Sequence, residues 1–324
     1  MHMNLSGVHH DHIDGSIAVL DVIHDLYQLA QKPFPFASID AWRAYMRDPD
    51  IDIVERFSTV ASVTQTAEAL TKLGYAYGKR RSEEGLRYVE AKFAPSLHTR
   101  EGLTLRKASD AMITGLRKAG REFGITILPV LCINREADAD TGIAIAKVAL
   151  EYDGEVAMDL VNNEAEYPPE RHAAAYKLTY GSKVKRDCHA GEWVAKEPVK
   201  TYEARLVRNI KTALFELKCD GVSQAIPLAK YPELVAYVAD RGIRVSGCPL
   251  SNLESGLIHD VQELGINTLL DRGVIYTLNA DDDLLFSPMK SVIETCDATY
   301  NFTPEQQRKL EENVVRGAFR TFTP

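Results

Sequence analysis

Three short motifs place histidines and carboxylates where apolar stretches of the sequence end. The first is His10-Asp11-His12, close to the start of the chain. Side chains two residues apart on a β-strand point to the same face, so His10 and His12 would converge on one point. Two converging imidazoles are typical of a site for a divalent metal ion. An isolated motif of this kind is more often structural, so the prediction depends on further ligands.

The second motif is Cys188-His189-Ala190-Gly191-Glu192, which ends a stretch predicted to be extended. Gly191 permits a tight turn, after which Glu192 would return over the end of the strand near His189. A carboxylate beside a metal-held water is suited to moving protons. The motif therefore offers one more metal ligand and one candidate acid or base.

The third motif is Asn279-Ala280-Asp281-Asp282-Asp283, which follows the apolar stretch 274–278. Three carboxylates at the end of a buried strand are unfavourable unless something neutralises them. A cation or a hydrogen-bonding ligand would do so. A solvated acidic loop is the alternative for this motif taken alone.

The elements that must position these motifs are short apolar runs alternating with helical patterns. The predicted strands are 5–13, 86–94, 125–133, 156–161, 184–190, 220–225, 243–248 and 274–278. The predicted helices between them include 107–123, 143–152, 201–217 and 232–241. This alternation favours parallel βαβ units, and eight units favour an α/β fold of the (β/α)₈ TIM-barrel type.

The motifs end the first, fifth and eighth predicted strands. In a TIM barrel the C-terminal ends of the strands form the active-site face, so the three motifs would meet across one mouth. The sequence therefore predicts a metal site there.

About seventy residues, 17–85, interrupt the alternation of strands and helices after the first strand and contain a helical pattern at 63–81. We interpret them as a helical insertion within a single domain of residues 1–324.

Composition narrows the function classes. The chain has 324 residues, 45% of them hydrophobic and 26% charged, with a formal net charge of −8. These values are those of an ordinary globular protein rather than a disordered one, and they give no basic field for nucleic acid. No apolar run approaches the ~18 residues that span a membrane. Five dispersed cysteines without a CxxC motif predict a reducing, cytoplasmic location. The oligomeric state stays open.

Five segments, in order and spacing, resemble the adenosine deaminase family of the amidohydrolase superfamily. They are HDHIDGS at 10–16, LRYVEAKFAP at 86–95, CHAGE at 188–192, CPLSNL at 248–253 and TLNADD at 277–282. Together they span nearly the whole chain. The resemblance implies a (β/α)₈ barrel that removes the amino group of a purine-like ring, with a small molecule such as a purine nucleoside as its partner. It also implies one divalent metal ion, usually zinc, whose ligands would be His10, His12, His189 and Asp281.

The resemblance assigns further roles around the ion. Glu192 would give a proton to a ring nitrogen, Asp282 would hydrogen-bond another ring nitrogen, and Asp14 would meet a sugar hydroxyl. The remaining site residues are Asp281 and Gln224 as catalytic groups, and His12 and Asn162 as substrate contacts. A metal lowers the pKa of a bound water towards about 7, and proton delivery makes the ring carbon electrophilic. These two effects together would drive loss of ammonia.

The chain departs from the family at three positions. Gln224 stands where the family has a histidine at the end of the sixth strand, and an amide can orient a water but cannot take a proton. Asn162 replaces a glycine that lets the ring approach the backbone, so its side chain would narrow or redirect the pocket. Asp283 replaces a frequent proline and is expected to add charge at the mouth, which would discourage anionic substrates.

These departures leave two alternatives to an aminopurine deaminase. One is a hydrolase that keeps the metal and Glu192 but acts on a different ring or bond. The other is a purine-binding homologue with impaired catalysis, which the loss of the family's histidine at Gln224 would explain. Retention of Glu192 and of the complete predicted ligand set argues against the second alternative.

Overall fold

Parallel strands form the wall of a barrel in the part of the chain that the computed structural model describes, residues 3, 5–192 and 199–324. In chain order these strands are β1 (Gly7–His12), β2 (Tyr88–Phe93), β3 (Thr126–Asn134), β4 (Ala157–Val161), β5 (Lys185–Arg186), β6 (His189–Ala190), β7 (Gly221–Gln224), β8 (Arg244–Gly247) and β9 (Ile275–Leu278). Each overlaps a strand predicted from the sequence, and the prediction of an α/β barrel of the (β/α)₈ type is confirmed.

The strands pair in the orders β1-β2-β3-β4-β5 and β6-β7-β8-β9, and every pair is parallel. β5 and β6 are the two halves of the predicted strand 184–190, which is interrupted at Asp187 and Cys188. The interrupted stretch still joins the two sheets, since Asp187 N donates to Met158 O at 2.8 Å and Ser223 N donates to Cys188 O at 2.9 Å.

The ring also closes between its first and last strands. Asp11 and Asp281 form a parallel bridge, and the His12 amide donates to Asp281 O at 3.2 Å. The side chain of Asn279 strengthens this seam, because its Oδ1 accepts the amides of His9 at 2.8 Å and His10 at 3.1 Å. The first and eighth predicted strands are therefore neighbours, as the convergence of their motifs requires.

Helices cover the outside of the barrel. They are α1 (Ile23–Leu29), α2 (Ile39–Arg47), α3 (Ile53–Ala61), α4 (Ala67–Glu83), α5 (Leu105–Phe123), α6 (Ala139–Leu150), α7 (Ala173–Leu178), α8 (Val199–Lys211), α9 (Pro232–Arg241), α10 (Pro249–Glu254), α11 (Ile266–Asp271), α12 (Met289–Tyr300) and α13 (Pro304–Arg316). The predicted helix 232–241 agrees with α9 at both ends; Gly242, with φ 61°, ends it. Among the described residues, no helix combines the length and the apolar character needed to cross a membrane.

Helices α1 to α4 lie between β1 and β2, and α4 packs closely against α5. A Cβ atom on Gly115 would lie 2.2 Å from Thr71 O, so only glycine permits this approach. At its C-terminal end α4 is anchored to the barrel through the buried guanidinium of Arg81. Its Nε lies 2.7 Å from Asp11 Oδ2 and its Nη1 lies 2.7 Å from Asp283 Oδ2. The helical segment is thus fixed to β1 and to the loop after β9.

The barrel interior contains a chain of buried charges. Arg244 donates to Glu90 Oε1 at 2.7 Å and to Asp187 Oδ2 at 2.8 Å, and Lys92 lies 3.2 Å from the same Asp187 oxygen. Lys92 also pairs with Asp159. All five side chains are at most 1% exposed. Burial lowers the pKa of Lys92, but the two aspartates outweigh it and hold that pKa above its ordinary value. Lys92 therefore stays charged inside the barrel.

Candidate active site

Four side chains meet at the C-terminal end of the barrel. Each of His10, His12, His189 and Asp281 offers one ligand atom, and these atoms all lie within 4.8 Å of one another. His10 Nε2 is 3.1 Å from His12 Nε2 and 3.0 Å from Asp281 Oδ1. His12 Nε2 is 3.3 Å from His189 Nε2. Four tetrahedral donors about 2.0–2.1 Å from one zinc ion are roughly 3.3 Å apart, so the set fits zinc.

The fold explains why these atoms converge. His10 and His12 alternate along β1, His189 begins β6, and Asp281 follows β9 with a left-handed φ of 69°. Burial lowers the pKa of His10 to about 4 and that of His12 well below its ordinary value. Both imidazoles are therefore neutral near pH 7, which is the form that binds a metal. Burial alone would raise the pKa of Asp281, but the adjacent imidazoles outweigh it and keep that carboxyl ionised.

A second layer of side chains orients the ligands. Asp159, on β4, lies 2.9 Å from His189 Nδ1 through its Oδ2 and accepts the His189 amide at 3.1 Å through its Oδ1. This contact directs Nε2 of His189 towards the cluster. Ser251 donates to Asp281 Oδ2 at 2.7 Å, which leaves Oδ1 facing the histidines. Neither residue is predicted from the sequence; an acidic residue inside a buried strand is the available signal for Asp159.

Gln224 lies at the end of β7 beside the ligand cluster. It is 2% exposed and has a left-handed φ of 72°. Its Nε2 donates to Asp281 Oδ2 at 3.2 Å, and its Oε1 accepts from Asn252 Nδ2 at 3.0 Å. Asn252 therefore decides which end of the amide faces Asp281. Sequence reasoning placed Gln224 at the site but did not identify Asn252 as its partner.

Glu192 follows Gly191, whose φ of 86° makes the predicted turn. Its side chain is half-buried at the same end of the barrel. Burial raises the pKa of Glu192 well above its ordinary value, and the charges of Asp281 and Glu164 raise it further. The raised pKa widens the pH range in which Glu192 keeps its proton, and the protonated carboxyl is the form of an acid that can donate one.

Two more predicted residues keep a carboxylate oxygen without a hydrogen-bond partner among the described residues. These oxygens are Asp282 Oδ1 and Asp14 Oδ1, both inaccessible to bulk solvent. Asp282 occupies space left by Gly15, where a Cβ atom would lie 1.7 Å from that oxygen. The other oxygen of Asp14 lies 3.4 Å from His98 Nε2. Unpaired buried oxygens are costly, so both are suited to a ligand that supplies hydrogen-bond donors.

The two other departures from the family, Asn162 and Asp283, lie in different surroundings. Asn162 has a φ of 79°, which asparagine tolerates, and its exposed side chain donates to Glu136 Oε2 at 3.4 Å. The expectation that Asp283 adds charge at the mouth and discourages anionic substrates is wrong. That side chain is 3% exposed, pairs with Arg81 and accepts the Ile17 amide at 2.7 Å. Asp283 is therefore a buried, paired carboxylate rather than an exposed charge facing an anionic substrate.

Comparison with known proteins agrees with this geometry. The family model for adenosine deaminase matches residues 7–323. Adenosine deaminase of Enterococcus faecalis is 27% identical over 274 residues, which are 83% of this chain and 77% of that protein. Adenine deaminase of Cupriavidus necator is 27% identical over 315 residues, 96% of this chain and 86% of that protein. The structure of an amidohydrolase from Burkhoderia ambifaria with bound Zn has a TM-score of 0.83 and 26% identity, covering 98% of this chain and 86% of that one. Because the family model matches nearly every residue, this chain belongs to the adenosine deaminase family.

Proposed function

We propose that this chain hydrolyses the exocyclic amino group of an aminopurine and releases ammonia. The ring carbon gains an oxygen from water and loses nitrogen as NH₃, so no oxidant or reductant is needed. The observation that carries the proposal is the presence of four metal-type donors and the carboxyl of Glu192, whose pKa is raised, at one end of the barrel. The ligands of the ion are His10, His12, His189 and Asp281.

A divalent ion in this cluster, zinc by the family and by the donor set, supplies activation of a water molecule at neutral pH. The protein's own groups do the rest. Glu192 holds a proton and delivers it to a ring nitrogen next to the carbon under attack. This delivery withdraws electrons from that carbon and makes it electrophilic, an effect worth roughly 10²–10⁴-fold in rate.

Asp282 and Asp14 orient the substrate. Burial, and then the charge of Asp281, raises the pKa of Asp282 well above its ordinary value. The Asp282 carboxyl can therefore share a proton with a second ring nitrogen. The unpartnered oxygen of Asp14 accepts a hydroxyl, which favours a nucleoside over a free base. Asn162 and His12 border the same mouth, and we assign them to substrate contact.

Gln224 takes an orienting role in this scheme. Its amide donates to Asp281 and is held by Asn252, so it fixes the ligand carboxylate without exchanging a proton. This role keeps the catalytic centre complete although the family's histidine is missing. The whole chain is proposed to act as one hydrolase domain. The five free, buried cysteines support the proposal that it works in the cytoplasm.

The test is ammonia release from a panel of aminopurine bases, nucleosides and nucleotides, with pterins and aminopyrimidines included. We expect zinc-loaded protein to turn over at least one aminopurine, and Glu192→Gln to lower kcat by ~10²–10⁴-fold. A chelator should abolish turnover, and zinc should restore it. Thermal stabilisation by purines without any turnover would overturn the proposal in favour of a binding homologue. Hydrolysis of another bond without ammonia release would favour the other alternative.

A further inference from the structure

A buried carboxylate outside the three motifs contacts the backbone of Glu192. Glu164 follows β4 and is 1% exposed. Its Oε1 accepts the Gly191 amide at 2.7 Å, and its Oε2 accepts the Glu192 amide at 2.9 Å. Oε1 also accepts Asn209 Nδ2, from α8, at 2.8 Å. One carboxylate therefore joins the segment after β4, the turn after β6 and helix α8.

The turn provides a matching site for this anion. Gly191 has a left-handed φ, which turns two successive amide groups towards one point. Hydrogen bonds from backbone amides to an ionised carboxylate are shorter and about twice as strong as those between neutral groups. They also offset the cost of burying Glu164.

Other contacts hold the same turn. The Ile226 amide donates to Gly191 O at 2.9 Å, so Gly191 is held on both sides. A Cβ atom on Gly191 would lie 2.7 Å from Ile210 Cδ1, so α8 packs directly on this residue. The two amide hydrogen bonds to Glu164 consequently set the direction in which the backbone at Glu192 leaves the strand.

We propose that Glu164 is a positioning residue for the deamination: it places the proton-donating carboxyl of Glu192 by holding the two amides that precede that side chain. The inference rests on the proposed function, in which Glu192 is the acid. Glu164 does not hold the metal ligands, since Asp159 orients His189 and strand pairing holds Ala190. Its loss should therefore affect proton delivery and leave metal binding intact.

The electrostatics of the site agree with this assignment. After burial and Asp281, the charge of Glu164 is the next largest influence that raises the pKa of Glu192. The same carboxylate that fixes the position of Glu192 thus also favours its protonated form. A neutral residue at position 164 would weaken both effects.

The principal variant is Glu164→Gln, which keeps the size of the side chain but places an NH₂ group against one of the two amides. We expect kcat for the aminopurine to fall by ~10²-fold, the effect of about 1 Å of misplacement. KM should stay within about threefold, because the substrate contacts lie elsewhere. Zinc content should remain one ion per chain. The matched control is Glu170→Gln, which removes a carboxylate that pairs with Arg208 of α8 at 2.7 Å without touching the turn.

A double-mutant cycle separates positioning from a structural role. If Glu164 acts through Glu192, Glu164→Gln should lower kcat by less than about threefold in the Glu192→Gln background. An additive loss of ~10²-fold would overturn the inference, and so would loss of zinc or a KM effect alone. If Glu164→Gln does not fold, Glu164→Asp, which keeps the charge but withdraws it from the amides, must show the same pattern.

The outcomes for the two proposals are distinct. Wild-type turnover that Glu192→Gln removes and Glu164→Gln leaves intact would refute the positioning role alone. Absence of wild-type ammonia release from every aminopurine would refute the proposed function, and the positioning role with it.

Discussion

Replacing Asp159 by asparagine tests two roles of one carboxylate: orienting His189 at the metal site and pairing with Lys92 in the barrel interior. The carboxylate makes two kinds of contact at once. It contacts both Nδ1 and the amide of His189, and it pairs with the fully buried ammonium of Lys92. Asparagine keeps the shape but removes the charge. Lys92 then retains Asp187 at 3.2 Å and Ser223 Oγ at 2.9 Å.

The expected losses of zinc affinity and of folding free energy follow from these contacts. Loss of a carboxylate that orients a metal-bound histidine typically weakens metal affinity by ~10–100-fold, or about 1.4–2.8 kcal/mol. Removing one partner of a buried ion pair costs ~3–5 kcal/mol of folding free energy. Because Asp187 still faces Lys92, we expect about 3 kcal/mol, the lower end of that range, for Asp159→Asn.

Two measurements separate the effect on metal binding from the effect on folding: zinc affinity by chelator competition, and the stability of the zinc-free protein by urea unfolding. The double variant Asp159→Asn/Lys92→Met removes the uncompensated ammonium, so it should recover most of the stability but not the zinc affinity. Asp153→Asn is the control, because Asp153 pairs with Lys183 at the surface, with side chains 79% and 71% exposed. Restored zinc affinity in the double variant would refute a direct role for Asp159 in orienting His189.

Two further substitutions and a pH profile test other groups of the site. Gly15→Ala should displace the Asp282 carboxylate and lower kcat/KM by ~10²-fold with zinc retained. Gly102→Ala strains a left-handed backbone, φ 96°, but its added Cβ meets no atom within 4 Å, so it should lower stability and leave kcat/KM unchanged; equal losses of kcat/KM would contradict the steric argument. Asn252→Ala should free the Gln224 amide and lower kcat by about 2–10-fold, and an unchanged rate would show that the amide needs no partner. The rate should fall as pH rises through the raised pKa of Glu192, because only its protonated form donates. The charged groups acting on Glu192 are Asp281, Glu164, Arg135 and Asp159; a rate that keeps rising with pH would exclude Glu192 as the acid.

The parts of the molecule that the sequence predicts are those set by local pattern. The alternation of His10 and His12 is visible within three residues, and each of the two other motifs follows directly after an apolar run. The barrel follows from eight such runs separated by helical patterns. These features need no knowledge of which distant residues meet.

The parts that escaped prediction depend on contacts between remote positions. Asp159 and Glu164 contact residues 30 and 27–28 positions away. A buried acidic residue indicates a functional position at Asp159, but the local sequence does not identify the partner of either residue. The fifth predicted strand is interrupted where Asp187 meets Arg244, 57 positions along the chain. The sequence predicts added charge at the mouth from Asp283 because its partner, Arg81, lies 202 positions earlier and is not apparent from the local pattern.

The anchoring of α4 by Arg81 limits how the mouth of the barrel can open. One guanidinium pairs with Asp11, which stands between the two histidines proposed as metal ligands, and with Asp283, which adjoins Asp282. Moving α4 away from the barrel would break two buried ion pairs. α4 is therefore held in place relative to the ends of the first and last strands.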